Sequence, residues 1–176
     1  ARDAALRPID SVAVIGAGTM GGGIAMNFAN VGIPVKILEM NDEALEKGLG
    51  VIKKNYDATA RKGRLSEAEV EKRMALLTGT TDYNELADAD LVIEAVFENM
   101  EVKKEVFKTL SNTVRPETIL ASNTSYLNID ELASVVEKPE RMLGMHFFSP
   151  ANVMRLLEIV RAEKTSPDAV SYTHLR

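Results

Sequence analysis

Apolar residues along the chain fall into short unbroken runs, separated by longer stretches in which they recur every three or four positions. The first pattern predicts buried strands, and the second predicts helices with one face on a core. Val12–Ile15 is the first such run; Met20, Ile24, Phe28 and Val31 then mark a helix that Gly32 is placed to stop. Pro34–Glu39 predicts the second strand. Asn41 suits the cap of a long helix reaching Lys62, with Leu45, Leu49, Ile52 and Tyr56 on one face and Gly63 at its end. Ser66 and Glu69 have capping-box spacing for a helix reaching Leu77, followed by a minor strand at Thr78–Thr81. Leu91–Val96, Ile119–Ala121, Met142–Phe148 and Leu156–Val160 predict further strands, with helices at Val102–Leu110 and Ile129–Val136. Alternating strands and helices predict an α/β fold of the Rossmann type. Its sheet is doubly wound and mainly parallel, with helices on both faces and the last strands antiparallel.

Composition narrows the classes without choosing among them. At 176 residues the chain can bury one sizeable core, and residues 1–10 read as a linker or arm ahead of a folded domain that opens at Ser11 or Val12. The absence of cysteine excludes disulfides, thiolate metal ligands and cysteine nucleophiles, and two histidines leave little for any other metal centre. A formal net charge of −5 gives no reason to expect nucleic acid as a partner. The apolar runs fall short of the about 20 residues that a membrane span needs. Residues 1–10 carry charges and a proline where a signal peptide would be apolar. The expectation is a cytoplasmic protein, or a peroxisomal or mitochondrial one in a eukaryote.

Candidate chemistry begins where the first strand ends. Gly16, Gly18 and Gly21 form a Gly-x-Gly-x-x-Gly turn opening a helix, and Glu39 closes the next strand. Gly16 allows the sharp turn, Gly18 clears the approach of a pyrophosphate, and Gly21 lets helix and sheet pack closely. The helix N-terminus, from Thr19 and Met20, offers unpaired N–H groups to the phosphates. Glu39 is placed to accept from a ribose diol and would repel a 2′-phosphate, so the pattern favours NAD over NADP. An FAD turn also fits Gly16, Gly18, Gly21 and Ala25, whereas methyltransferase glycines are usually arranged differently.

In such sheets ligands gather beyond the carboxyl ends of the strands, which here are Glu94–Glu98, Ser122–Ser125 and His146. His146 suits a general base for alcohol oxidation, and Glu158 in the next strand could orient its imidazole. Each has a plainer alternative: His146 as a structural histidine, Glu158 as an edge-strand charge, Ser122, Asn123 and Ser125 as helix caps, Lys103 as a solvated helix charge. Lys53, Lys54, Arg61 and Lys62 form a basic set on the long helix, either a solvated face or a handle for a phosphorylated ligand such as coenzyme A.

Four strings in order carry a resemblance: Val-Ile-Gly-Ala-Gly-Thr-Met-Gly at 14–21, Val-Ile-Glu-Ala-Val-Phe-Glu-Asn at 92–99, Ala-Ser-Asn-Thr-Ser at 121–125 and Gly-Met-His-Phe-Phe-Ser-Pro-Ala at 144–151. With them the chain resembles the N-terminal NAD-binding domain of the 3-hydroxyacyl-CoA dehydrogenase family over residues 11 to 168. The wording is closest to the dehydrogenase part of multifunctional fatty-acid β-oxidation enzymes. The resemblance implies NAD-dependent oxidation of (S)-3-hydroxyacyl-CoA, with His146 as base, Glu158 as its orienting partner and Ser125 on the substrate hydroxyl. It implies that Glu98 and Lys103 touch the nicotinamide ribose and that Ala95, Asn123 and Ser149 line the nicotinamide end; with such a substrate, Lys54 and Arg61 of the basic set are the candidates to meet coenzyme A. Ser149 departs from the Asn usual in the single-function enzymes. The family's second, helical domain is not found in the sequence, which leaves open an NAD-binding fragment that is inactive alone. The whole enzyme is expected to be oligomeric and part of a larger chain. The resemblance implies a dehydrogenase domain over 11–168 and, because the family pattern stops at about Val170, a divergent, non-native tail over 169–176, so His174 receives no role.

Overall fold

A computed structural model describes residues 8–172 except 155. Its strands are β1 (Val12–Ile15), β2 (Val35–Leu38), β3 (Leu77–Thr80), β4 (Leu91–Glu94), β5 (Ile119–Ser122), β6 (Met142–Phe147) and β7 (Leu157–Arg161). They form one sheet in the order β3-β2-β1-β4-β5-β6-β7. All neighbours are parallel except β7, which returns antiparallel along β6. Helices α1 (Thr19–Asn30), α2 (Asp42–Arg61), α3 (Glu67–Ala75), α4 (Met100–Thr113), α5 (Ile129–Ala133) and α6 (Pro167–Tyr172) complete the fold.

Side-chain alternation along the strands divides the core between the two faces. Val12 and Val14 pack with Ile24, Phe28, Ile52 and Tyr56 from α1 and α2. Ala13 and Ile15 pack on the opposite face with Phe107, Leu110 and Leu132 from α4 and α5. The expected doubly wound sheet is therefore present, with its antiparallel last pair. Strand order reverses beside β1, which opens a crevice beyond the carboxyl ends of β1 and β4.

Local signals act as their chemistry requires. Asn41 Oδ1 accepts from Ala44 N at 2.8 Å, and Ser66 Oγ accepts from Glu69 N at 3.1 Å. Leu77 corrects one expectation: α3 ends at Ala75 and Leu77 opens β3, because it is drawn into register with Val35 and buried. The strand is thus Leu77–Thr80 rather than Thr78–Thr81. Helix α5 stops at Ala133, short of Val136, and is capped by the Asn128 side chain rather than by Ser122, Asn123 or Ser125. Two 3₁₀ turns, Tyr83–Leu86 and Pro139–Arg141, had no sequence signal strong enough to be foreseen.

Of the leading arm, Ile9 packs on the core and Asp10 N and Ser11 N donate to Asp90 Oδ2; residues 1–7 lie outside the described residues. At the other end α6 buries Ala169, while His174 also lies outside the described residues. Among the described residues, no helix is long and apolar enough to cross a membrane.

Candidate functional site

The glycine turn joins β1 to α1. Gly16 has φ +100°, and a Cβ there would come within 2.8 Å of the Ala95 carbonyl oxygen. A Cβ on Gly21 would fall on the Gly16 carbonyl oxygen, so α1 can approach β1 only with glycine there. At Gly18 an added Cβ would meet no protein atom, which leaves that space to whatever binds. Gly18 is also the N-cap of α1 and brings no side-chain acceptor. Among the described residues, the amides of Gly18, Thr19 and Met20 make no hydrogen bond to the protein. These orphan donors at a helix N-terminus fit a pyrophosphate.

Glu39 follows β2 and turns its carboxylate back over the turn: Oε1 accepts from Ala17 N at 2.7 Å and Oε2 from Met40 N at 3.1 Å. Each oxygen keeps a second lone pair, which suits a ribose diol. The residues present therefore fit a dinucleotide with an unphosphorylated adenosine ribose.

Beyond β4 and β5 lies a network that sequence reasoning met only in part. Lys103, one turn into α4, is fully buried. Its Nζ donates to Glu94 Oε2 at 2.5 Å and to Val96 O at 3.1 Å, and lies 3.1 Å from Glu98 Oε1. Glu94, also fully buried, accepts from Ser122 Oγ at 2.5 Å through Oε1 and from Val96 N at 2.8 Å through Oε2. Glu98 Oε2 accepts from Thr124 Oγ1 at 2.8 Å and Ser125 N at 3.3 Å. Burial would raise the Glu98 carboxyl, but hydrogen bonds from Thr124 and Lys103 outweigh it and hold the group below its ordinary range.

Lys103 is therefore no solvated helix charge. Glu94, Ser122 and Thr124 lie in the strand-end stretches that the sequence singles out, but no site role was expected of them individually. One signal could have found them: Glu94 interrupts an apolar run, and Lys103 precedes Phe107 and Leu110 at helical spacing, so both charges fall on buried faces.

The third group gathers at the end of β6. His146 and Glu158 are direct partners across the antiparallel β6–β7 pair. His146 Nδ1 lies 3.6 Å from Glu158 Oε2, longer than a hydrogen bond, with the histidine side chain 24% exposed and the glutamate 57%. The His146 ring also packs against Phe148 at 4.8 Å between centroids. Asn123 Oδ1 accepts from Phe147 N at 2.9 Å, which leaves its amide hydrogens as the side-chain donors on offer.

The turn after β6, which carries exposed Ser149, is tied to α1. Asn27 Nδ2 donates to Ala151 O at 2.8 Å, and a Cβ on Gly23 would come within 3.0 Å of Ala151 Cβ. Ser125 is exposed beside Glu98, and Ala95 continues the β1 ladder, its N donating to Ile15 O at 2.9 Å. Lys54 and Arg61 are exposed on α2, apart from this crevice network, while neighbouring Lys53 pairs with Asp57 at 2.8 Å.

Comparison with known proteins identifies the family and the fold. The profile of "3-hydroxyacyl-CoA dehydrogenase, NAD binding domain" matches residues 11–175. The peroxisomal fatty acid beta-oxidation multifunctional protein MFP2 of Arabidopsis thaliana is 43% identical over 164 residues, covering 93% of this chain and 23% of its own length. A probable 3-hydroxybutyryl-CoA dehydrogenase of Bacillus subtilis is 44% identical over 160 residues, covering 91% of this chain and 56% of its own. Among solved structures, M. tuberculosis FadB2 superposes with a TM-score of 0.93 at 40% identity, over 95% of this chain and 59% of that one. The dehydrogenase part of multifunctional enzyme 1 from C. elegans does so at 0.87 and 35% identity, over 97% and 39%. The chain thus spans a fraction of each relative.

Proposed function

Because the chain belongs to the 3-hydroxyacyl-CoA dehydrogenase family, of which it carries the NAD-binding domain, we propose that it works in the NAD-dependent oxidation of (S)-3-hydroxyacyl-CoA to 3-oxoacyl-CoA. The observation that carries this reading is the direct pairing of His146 with Glu158 at the sheet end that also holds Asn123 and Ser125. Glu158 faces Nδ1 of His146, so Nε2 is the nitrogen left to take the proton of the 3-hydroxyl. As that proton arrives, Glu158 offsets the imidazolium charge, and the 3.6 Å separation closes to a hydrogen bond. The Ser125 hydroxyl holds the reacting oxygen. Bound NAD would supply the hydride acceptor. Gly18, Thr19 and Met20 hold its pyrophosphate, Glu39 its adenosine ribose and Glu98 the nicotinamide ribose. Lys103, buried and with its N–H groups spent on Glu94, Val96 O and Glu98, positions Glu98 rather than touching the ribose as expected. Ala95, Asn123 and Ser149 line the nicotinamide end. Lys54 and Arg61 would meet the phosphates of coenzyme A.

Reduction of acetoacetyl-CoA, followed by loss of NADH absorbance, tests the proposal. His146→Gln should lower turnover by about 10²–10⁴-fold with NADH affinity kept, and a near-normal rate in the variant would overturn the assignment. A second reading, an NAD-binding unit that turns over nothing as the 176-residue chain, is favoured by its covering only 56% of the Bacillus subtilis relative. Exposed Tyr126, Val153, Met154 and Leu156 beyond the ends of β5 and β6 point the same way. NADH binding without turnover would select it.

A further inference from the structure

The charges of Glu94, Lys103 and Glu98, gathered between β4, β5 and α4, do not cancel. Glu94 accepts through both oxygens, from Ser122 Oγ at Oε1 and from Lys103 Nζ and Val96 N at Oε2, while Ser122 Oγ itself accepts from Thr124 N at 3.2 Å. Lys103 directs its N–H groups to Glu94, Val96 O and Glu98, the full set an ammonium has. Glu98 likewise accepts through both oxygens. One ammonium therefore faces two carboxylates, which leaves one negative charge. Of the three side chains only Glu98 reaches the surface, 32% exposed against 0% for Glu94 and 1% for Lys103. The excess charge is presented at the carboxyl ends of β4 and β5, beside the crevice, and its inner half is shielded from solvent screening.

We propose that the Glu94–Lys103–Glu98 cluster tunes the site toward the oxidised cofactor, with Glu94 as a specificity-determining residue that touches no ligand. The nicotinamide ring is a cation in NAD⁺ and neutral in NADH. A fixed negative charge beside it therefore lowers the free energy of the oxidised form alone. Glu94 acts by keeping the cluster anionic: with a neutral residue in its place, Lys103 and Glu98 cancel. The inference rests on the reading that the nicotinamide end lies beyond β4 and β5. It adds to that reading a control on the balance between the two redox forms.

The test measures two dissociation constants on the 176-residue chain, that of NADH from its fluorescence and that of NAD⁺ by displacement. Glu94→Gln keeps the shape and removes the charge, and it should raise the ratio Kd(NAD⁺)/Kd(NADH) by about three- to tenfold. Ser122→Ala disturbs the same network without altering its charge, and should move the two constants together. If Glu94→Gln does not fold, as judged by its thermal melt, Glu98→Gln removes the same unit charge and must raise the ratio in the same direction. An unmoved ratio in the folded charge variant, or an equal rise in Ser122→Ala, overturns the proposal and leaves NAD binding standing. Failure of the unaltered chain to bind either form overturns both.

Discussion

Lys103 lies on the face of α4 that Phe107 and Leu110 continue at helical spacing, so helix geometry dictates its burial. Its neighbour Val102, apolar and 43% exposed, shows the same periodicity from the other side. Residue type alone reverses the two, and for that reason the network was legible only in part. The Lys103–Glu94 pair is also where a single change matters most. Lys103→Met leaves the Glu94 carboxyl buried without its ammonium partner, and should lower stability by about 3–5 kcal/mol in urea denaturation. Glu39, by contrast, was legible as an acid at a strand tip. Its bond to Ala17 N was not, because it joins residues from separate strands.

At the scale of elements, helix boundaries marked by capping chemistry were the most readable. Gly32 and Gly63 follow α1 and α2 with φ of +84° and +69°, as stop signals should. Boundaries that depend on sheet register, such as Leu77, were not, because register is set by strands distant in sequence. Helix α4 carries a cap beyond those expected from sequence: Asn99 Oδ1 accepts from Val102 N at 3.0 Å. Asn99→Ala should lower the stability of the chain by about 1 kcal/mol, read as a lower melting temperature. Lys103 is held by acceptors from β4 and the loop after it as well as by its helix, so NADH affinity should fall far less than in a variant of the network itself.

The whole molecule depends on carboxylates that close its edges. Asp168 in α6 is held at about 2, against an ordinary 3.8, by hydrogen bonds from Ser166 and Arg141, whose guanidinium lies 2.7 Å away. Burial would raise the Asp90 carboxyl, yet the amides of Asp10 and Ser11 and the Arg115 guanidinium lower it on balance. Carboxyls lowered by folding add stability that is complete above their unfolded values and is lost as pH falls through their folded ones. The urea midpoint should therefore drop as pH falls from about 4 through about 2, and by less in Asp168→Asn. At the alkaline end Tyr56 is raised to about 12 by burial, so its share is full below pH 10 and fades as pH climbs toward that value. The division of the core between two sheet faces was plain from alternation alone; the way the ends of the sheet are joined was not. One of those joins has a further consequence. Helix α1 meets the glycine turn with its first residues and grips Ala151 through Gly23 and Asn27. A helix rises about 1.5 Å per residue and scarcely stretches, so the gap between those two rims of the crevice is a gauge cut to fixed length, against which any ligand laid across it is measured.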